Sequence, residues 1–145
     1  MEFVAAPFTQ DDIIELVKLK PFFEEMWSAK GLLAELSNEA SVTLVVRDGE
    51  KAVGFCAFSA VGSEASLNML IVAPQFRGKG LAHLLLKEAI KKLKGKNVQE
   101  IFLEVRASNI KAIHLYEEFG FVKQGIRKEF YSNPTEDAQL MCSLI

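Results

Sequence analysis

The sequence is poor in the residues that several classes of protein require. Its 145 residues include two cysteines, Cys56 and Cys142, each in an apolar stretch, so we expect buried thiols and no disulfide framework. Basic residues number 17 against 19 acidic ones, and this balance argues against nucleic acid as the main partner. No run approaches the roughly 20 apolar residues that cross a bilayer, and the N terminus lacks a signal-peptide pattern. We therefore expect a cytoplasmic protein with no membrane partner.

The patterning that is present indicates one compact domain over residues 1–145. Half of the residues are hydrophobic, which suits a globular core, and no repeat, linker or low-complexity segment divides the chain. Apolar periodicity, caps and turns predict the element order β-α-α-β-β-β-α-β-α-β-β. This order indicates a mixed α/β fold and not a doubly wound parallel sheet.

Local signals define the first half of that order. Thr9 is a candidate N-cap of the first helix, and a second helical stretch is predicted roughly over 22–36. Asp48-Gly49 joins two apolar runs in a β-hairpin, and Pro74 ends the next long strand. The helix that follows is predicted over about 79–93, with an inward face made of Leu81, Leu84, Leu85, Ala89 and Ile90.

The second half is predicted in the same way. A strand, VQEIFLEV, precedes a helix that either Ser108 or Asn109 caps and that Gly120 closes. Two final strands cover about 121–130 and 138–144. The strand VQEIFLEV has apolar residues on both faces, as expected near the middle of a covered sheet.

The turn between Pro74 and the following helix is a candidate anion site. The first N–H groups of a helix lack backbone partners, and Gly78 and Gly80 let the backbone approach a ligand closely. Three nearby residues add charge or hydrogen-bond donors: Arg77, Lys79 and His83. The structural alternative is a tight strand-to-helix turn whose basic residues are simply solvated.

Two familiar phosphate loops do not fit this turn. A Walker A loop requires Ser or Thr after Gly-Lys, whereas Gly80 follows Lys79. A dinucleotide fingerprint could begin at Gly78, and Glu104 lies about where its ribose-binding acid is expected. However, His83 occupies the third glycine position, and four residues separate the strand from the turn.

The pattern that fits is Arg-x-x-Gly-x-Ala over residues 77–82, which resembles the pyrophosphate loop of the GNAT superfamily of N-acetyltransferases. The C-terminal half, LEVRASNIKAIHLYEEFGF followed by RKEFY and EDAQLM, is similar to the bacterial ribosomal-protein alanine N-acetyltransferases of that superfamily. The close resemblance covers about 67–145. Before that only general features fit, among them Trp27-Ser28 in the region that shapes the acceptor site.

The resemblance implies a GNAT-like fold, with a mostly antiparallel mixed sheet flanked by about four helices. It implies acetyl-CoA as co-substrate, no metal, and direct transfer to a primary amine, in particular the N-terminal α-amino group of a protein such as a ribosomal protein. Two alternatives stay open: an enzyme that acetylates a small amine or a lysine, and a non-catalytic acyl-CoA-binding module. The implied cofactor contacts are the backbone of Leu70, Ile71 and Val72, the loop residues Arg77, Gly78, Lys79, Gly80, Leu81, Ala82 and His83, and Asn109.

Two residues are candidates for proton transfer, which an amine attacking a thioester requires. Glu104 on its apolar strand is either a general base or a strand acid paired with Arg106. Tyr116 is either a general acid or an amphipathic core tyrosine, because other apolar residues share its helix face. The resemblance implies the catalytic interpretation for both.

The remaining polar residues allow simpler interpretations. Asn109 is a helix cap that the resemblance also places at the cofactor, and His114 is interpreted as a surface or packing residue. No Cys/His/Asp grouping has metal-ligand spacing. The run KKLKGK over 91–96 is either a solvated helix end or a screen for the adenosine phosphate of the cofactor.

Overall fold

A computed structural model describes residues 2–23 and 26–145, and its elements follow the predicted order. The helices are α1 (Ile13–Val17), α2 (Ala29–Leu36), α3 (Leu81–Gly95) and α4 (Ile110–Glu118). The strands are β1 (Ala5–Pro7), β2 (Ser41–Asp48), β3 (Lys51–Val61), β4 (Glu64–Val72), β5 (Glu100–Arg106), β6 (Val122–Tyr131) and β7 (Glu136–Leu144). Short 3-10 turns lie at Gln10–Asp12, Lys20–Phe22 and Pro74–Phe76. Within the described ranges, no helix is long and apolar enough to span a membrane.

The strands form one seven-stranded sheet in the order β1-β2-β3-β4-β5-β7-β6. Strands β4 and β5 are parallel, because α3 crosses over between them, and the other neighbouring pairs are antiparallel. The predicted mixed, mostly antiparallel sheet is therefore confirmed.

Both faces of the inner strand β3 are covered. Leu85 of α3 lies 3.3 Å from the point where a Cβ on Gly54 would stand, so α3 packs closely on that face. The ring of Phe55, the next residue along the strand, points to the opposite face. There it meets Phe8 at 5.1 Å and Trp27 at 6.3 Å between ring centroids. The sheet therefore carries α3 on one face and the N-terminal segments on the other.

The predicted helix over 22–36 is wrong in its first part. Helix α2 begins only at Ala29, because Ser28 has an extended backbone and its hydroxyl accepts a hydrogen bond from the N–H of Gly31 at 3.1 Å. Phe22 belongs to a separate 3-10 turn, and residues 24 and 25 of the prediction lie outside the described part.

Helix α3 differs from its prediction in start and in orientation. It begins at Leu81 because Gly80 adopts a left-handed backbone with φ of +75°. Leu84 and Ile90 are only partly buried, so the predicted inward face is rotated. The buried residues are Leu81, Leu85, Leu86, Ala89 and Leu93.

A partly buried ion pair links the N-terminal segment to β2. The carboxylate of Asp12, which is 2% exposed, accepts two hydrogen bonds from the Arg47 guanidinium, at 2.7 and 2.8 Å. It also accepts hydrogen bonds from the backbone N–H and the hydroxyl of Thr9, the predicted cap residue. Burial alone raises the pKa of Asp12, but the hydrogen bonds from Arg47 and Thr9 hold that pKa below its ordinary value.

Replacing this carboxylate should destabilise the protein in a pH-dependent way. Because the folded pKa is lowered, the stabilisation is present above the unfolded pKa of about 3.9 and is lost as the pH falls through the folded pKa. We expect Asp12→Asn to lower the free energy of unfolding by about 2 kcal/mol at pH 7. Urea unfolding from pH 7 to pH 3 measures this difference, which should shrink in acid. Asp11→Asn, on the exposed neighbour, is the control, and an equal loss there would contradict the prediction.

Candidate active site

The site is built around an opening in the sheet between β4 and β5. These strands pair with each other only over 64–66 and 100–102. Beyond that, β4 continues to Val72 and β5 to Arg106, and in the described chain the two strands do not pair with each other again. Strand β5 stays paired with β7 along its whole length. The C-terminal halves of β4 and β5 therefore form the two sides of a gap.

A β-bulge lies at the point where the two strands separate. On β4, Met69 pairs with Ala57 and Leu67 with Phe58, which leaves Asn68 as an extra residue. A bulge bends the strand that carries it and increases its twist. Since Asn68 follows the last β4–β5 pair by two residues, the bulge accounts for the divergence of β4 from β5.

The three predicted β4 residues line this gap with their backbone. Leu70, Ile71 and Val72 pair with β3 on one edge, opposite Cys56, Phe55 and Gly54 respectively. Their other edge faces the opening toward β5. The side chain of Ile71 is buried, whereas those of Leu70 and Val72 are partly buried. An extended chain placed in the gap could therefore pair with this edge as an added strand.

The predicted anion loop lies between β4 and α3. Gly78 and Gly80 have φ of +77° and +75°, a left-handed backbone that favours glycine. In the described chain, no heavy atom beyond the two adjoining residues lies within 4 Å of where a Cβ on either glycine would stand. Gly80 at the N-cap position has no side chain that could cap α3, so the N–H groups of Leu81, Ala82 and His83 can donate to a ligand. The loop thus has the form of a helix N-terminal anion site.

The three basic residues around the loop have different neighbours. The guanidinium of Arg77 lies over the ring of Phe23 at 5.7 Å, and the ring of His83 lies 4.8 Å from that of Phe119. Lys79 borders a surface recess of about 370 Å³ that it shares with Phe3, Asp48 and Phe76. This recess contains no residue of β4 or β5, so it is separate from the gap. All three side chains are solvent-exposed.

Glu104 projects from the middle of β5, on the side of the gap opposite β4. Its side chain is 32% exposed, and Oε1 lies 3.5 Å from Nη1 of Arg127, which is 54% exposed. Arg106, which the sequence offered as an alternative partner of Glu104, pairs with Glu136 at 3.3 Å and donates to carbonyls of the β6–β7 connection. Arg127 could not be identified from the sequence, because β6 reaches β5 only through the register of β7.

Tyr116 lies on the buried side of α4. It is 8% exposed and packs edge-on against the ring of Phe121 at 5.8 Å. Burial raises the pKa of its hydroxyl well above the ordinary value, and the nearby Tyr131 adds to the shift. The hydroxyl therefore stays protonated at neutral pH.

Asn109, and not Ser108, caps α4. The side-chain oxygen of Asn109 accepts a hydrogen bond from the N–H of Ala112 at 3.2 Å. The N–H of Ser108 instead donates to Oε2 of Glu136 at 2.6 Å. His114 is exposed on the surface of α4, which agrees with its predicted role.

Neither thiol is suited to nucleophilic chemistry. Cys56 and Cys142 are both free and buried, as predicted, and burial raises the pKa of Cys56 to about 12. A thiol with that pKa stays protonated at neutral pH. In the part of the chain that the structure describes, no cluster of three or more His, Cys, Asp or Glu side chains could hold a metal ion.

Comparison with known proteins identifies the class of enzyme to which this fold and site belong. The model of the acetyltransferase (GNAT) family matches residues 11–121. The chain therefore belongs to this family and is an N-acetyltransferase. This finding excludes the non-catalytic acyl-CoA-binding module that the sequence alone left open.

Individual relatives and solved structures show which members of the family this chain is similar to. The chain is 38% identical over 109 residues to the ribosomal protein bS18-alanine N-acetyltransferase of Haemophilus influenzae, covering 75% of this chain and 73% of that protein. The crystal structure of the ribosomal-protein-S18-alanine N-acetyltransferase from Escherichia coli superposes with a TM-score of 0.88 at 29% identity, over 99% of this chain and 94% of that one. The NatC complex bound to Gag peptide and CoA shares the fold, with a TM-score of 0.86 at 24% identity over 100% and 99% of the two chains.

Proposed function

We propose that this enzyme transfers the acetyl group of acetyl-CoA directly to the α-amino group of a protein N terminus, with a ribosomal protein of the S18 type as acceptor. The observation that carries the proposal is the gap between β4 and β5, which opens beside the uncapped start of α3. The gap suits the extended pantetheine arm of acetyl-CoA, which contains amides, and the start of α3 suits the pyrophosphate of the same molecule. The relatives that acetylate the alanine of bS18 support the choice of acceptor.

The donor fits the residues that surround the gap. The pyrophosphate would accept hydrogen bonds from the N–H groups of residues 81–83, and the positive end of the α3 dipole favours its charge. The open space beside Gly78 and Gly80 leaves room for the phosphate oxygens. Backbone groups of residues 70–72 would pair with the amides of the pantetheine arm, and one of these N–H groups would stabilise the developing oxyanion.

Glu104 would prepare the acceptor for attack. An N-terminal amine has a pKa of about 8 and is largely protonated at neutral pH, so it must lose a proton before its lone pair can react. The Glu104 carboxylate is partly exposed at the open side of β5, where it can draw this proton directly or through water. The amine nitrogen then bonds to the acetyl carbonyl carbon while the carbon–sulfur bond breaks.

Tyr116 would protonate the departing sulfur. Acetyl-CoA supplies the thioester, whose cleavage leaves a thiolate that needs a proton. The raised pKa of Tyr116 keeps its hydroxyl proton available at neutral pH, and the hydroxyl recovers a proton from solvent after each turnover. Cys56 stays a thiol under the same conditions, in agreement with transfer that forms no acyl-cysteine.

The acceptor proposal is tested by the release of CoA from acetyl-CoA with three matched peptides. The first carries the alanine N terminus of bS18, the second is the same peptide blocked at its N terminus, and the third is the blocked peptide with one added lysine. We expect turnover with the first peptide alone. Turnover with the third would indicate a lysine acetyltransferase. A polyamine is assayed as a fourth acceptor, and turnover with the polyamine alone would indicate a small-amine acetyltransferase.

Glu104→Gln should change the pH dependence of the reaction. The amide has the shape of the carboxylate but cannot take a proton, so kcat/KM should fall by about 100-fold at pH 7. The loss should diminish above about pH 8, where the amine deprotonates without help. Initial rates from pH 6 to pH 9.5 measure this effect. Glu100→Gln, at the first residue of β5, is the control, and an unchanged pH profile for Glu104→Gln would indicate a different base.

A further inference from the structure

The ion pair between Glu104 and Arg127 is loosely held. Oε1 of Glu104 lies 3.5 Å from Nη1 of Arg127, which is longer than the roughly 2.8 Å of a charge-assisted hydrogen bond. By contrast, the pair between Asp12 and Arg47 has contacts of 2.7 and 2.8 Å, and its carboxylate is buried. Both partners of the Glu104 pair are partly open to solvent, and an exposed ion pair contributes little free energy. The guanidinium can therefore leave this carboxylate at small cost.

Arg127 reaches Glu104 across strand β7, beside two small residues. Leu140 of β7 pairs with Glu104 on one side and with Gly125 on the other, so these three residues form a row on one face of the sheet. Arg127 follows Gly125 by two residues and lies opposite Ala138. Within the described chain, no heavy atom beyond the two adjoining residues lies within 4 Å of where a Cβ on Gly125 would stand. The Arg127 side chain therefore has room to lie beside Glu104 or to move away from it.

A bulge in β6 gives the guanidinium a second partner. Between positions 127 and 131, β6 has two more residues than the facing segment of β7. The backbone N–H of Glu129, whose φ is +51°, donates to Oδ1 of Asp137 at 2.9 Å within this bulge. Residues three apart point to opposite faces of a regular strand, yet here the ring of Phe130 lies 5.0 Å from the guanidinium of Arg127. A guanidinium released from Glu104 thus still has an aromatic face to contact.

Arg106, the neighbouring arginine on the same face, is committed to other partners. It lies two residues after Glu104 on β5, but its guanidinium pairs with Glu136 and donates to two carbonyls of the β6–β7 connection. The side chain of Arg106 is 19% exposed, against 54% for that of Arg127. Arg127 is therefore the arginine of this pair that can exchange with another cation.

We propose that Arg127 is a positioning residue that occupies Glu104 in the free enzyme and gives way to the ammonium group of the acceptor. This inference rests on the proposed function, because it takes Glu104 as the base that receives the acceptor's proton. A protonated N terminus and a guanidinium are both cations, so they compete for one carboxylate. The displaced guanidinium remains on the ring of Phe130. A blocked N terminus has no charge with which to displace Arg127, so only a free amine gains access to the base.

The test measures the binding of two peptides to the enzyme saturated with CoA, by isothermal titration calorimetry. One peptide carries the free alanine N terminus of bS18, and the other is the same peptide blocked at its N terminus. Arg127→Gln should tighten binding of the free peptide about threefold, because no guanidinium competes with its ammonium, and should leave the blocked peptide unchanged. Arg127→Lys keeps a cation and should restore the wild-type affinity. Lys128→Gln, which removes the same charge from the adjoining exposed residue, is the control and should preserve both affinities.

Two further measurements show whether Arg127 acts through Glu104. In the Glu104→Gln background, Arg127→Gln should no longer tighten binding of the free peptide, because the competition is for the carboxylate. At saturating free peptide, the kcat of Arg127→Gln should stay within about twofold of the wild-type value, since the guanidinium has already left the base when transfer occurs.

Several results would contradict the exchange. Arg127→Gln could weaken the free peptide or leave its affinity unchanged, tighten both peptides equally, lower kcat beyond that limit, or still tighten the free peptide in the Glu104→Gln background. In each of these cases, release of CoA by the wild type with the free peptide would still support the proposed acceptor. Absence of both binding and turnover of the free peptide with the wild type would overturn the proposed acceptor and this inference together.

Discussion

Tyr116→Phe should lower kcat by about 100-fold or more while leaving the Kd for acetyl-CoA nearly unchanged. The substitution removes one oxygen and keeps the ring, whose edge-on contact with Phe121 at 5.8 Å supports α4. What is lost is the proton that the leaving thiolate requires. Because burial raises the pKa of Tyr116, ionisation of this hydroxyl should cause no loss of kcat in the wild type below about pH 10.

Three measurements distinguish an acid from a packing residue at this position. Steady-state turnover, calorimetric binding of acetyl-CoA and thermal unfolding should be recorded for the wild type and for Tyr116→Phe. A catalytic acid predicts a large loss of kcat with the same Kd and the same Tm. Unchanged turnover would remove the proposed role, and a loss of turnover that parallels a fall in Tm would assign the residue to the core.

Gly80→Asp should abolish detectable binding of acetyl-CoA, with a loss of about 100-fold or more in affinity. The residue lies at the start of α3 with φ of +75°, and the space beside it is open. An aspartate side chain would fit there but would place a carboxylate where the pyrophosphate is proposed to lie. Two effects then act together, the strain of the left-handed backbone and the repulsion between negative charges.

Gly80→Asn is the matched control for that experiment. Asparagine has the same shape as aspartate and is among the residues that best tolerate a left-handed backbone, so it carries the steric change without the charge. We expect it to bind acetyl-CoA much more tightly than Gly80→Asp. Equal losses would assign the effect to backbone strain or crowding. Tight binding by the aspartate variant would show that the phosphates do not lie at this loop.

Much of the fold could be predicted because local signals specify it. Asp48-Gly49 does join two strands, and Asn109, one of the two candidate caps, does cap α4. Each of these features depends on a few neighbouring residues, since caps and turns satisfy their own backbone groups. Helix α2 was harder to predict, because the start of a short helix depends on how the preceding turn packs.

The same distinction between local and long-range features applies to the candidate site. The sequence by itself determined the glycine loop, the candidate acid and base, and the resemblance that identified the family, because these reside in residue types and in their spacing. Only the tertiary structure decided that Glu104 lies beside Arg127, and that β4 separates from β5 at Asn68. It also brought Phe119 to His83 of α3. Strand register, bulges and helix-to-helix contacts bring together residues that are far apart in the sequence. A local sequence pattern does not specify which of these residues meet.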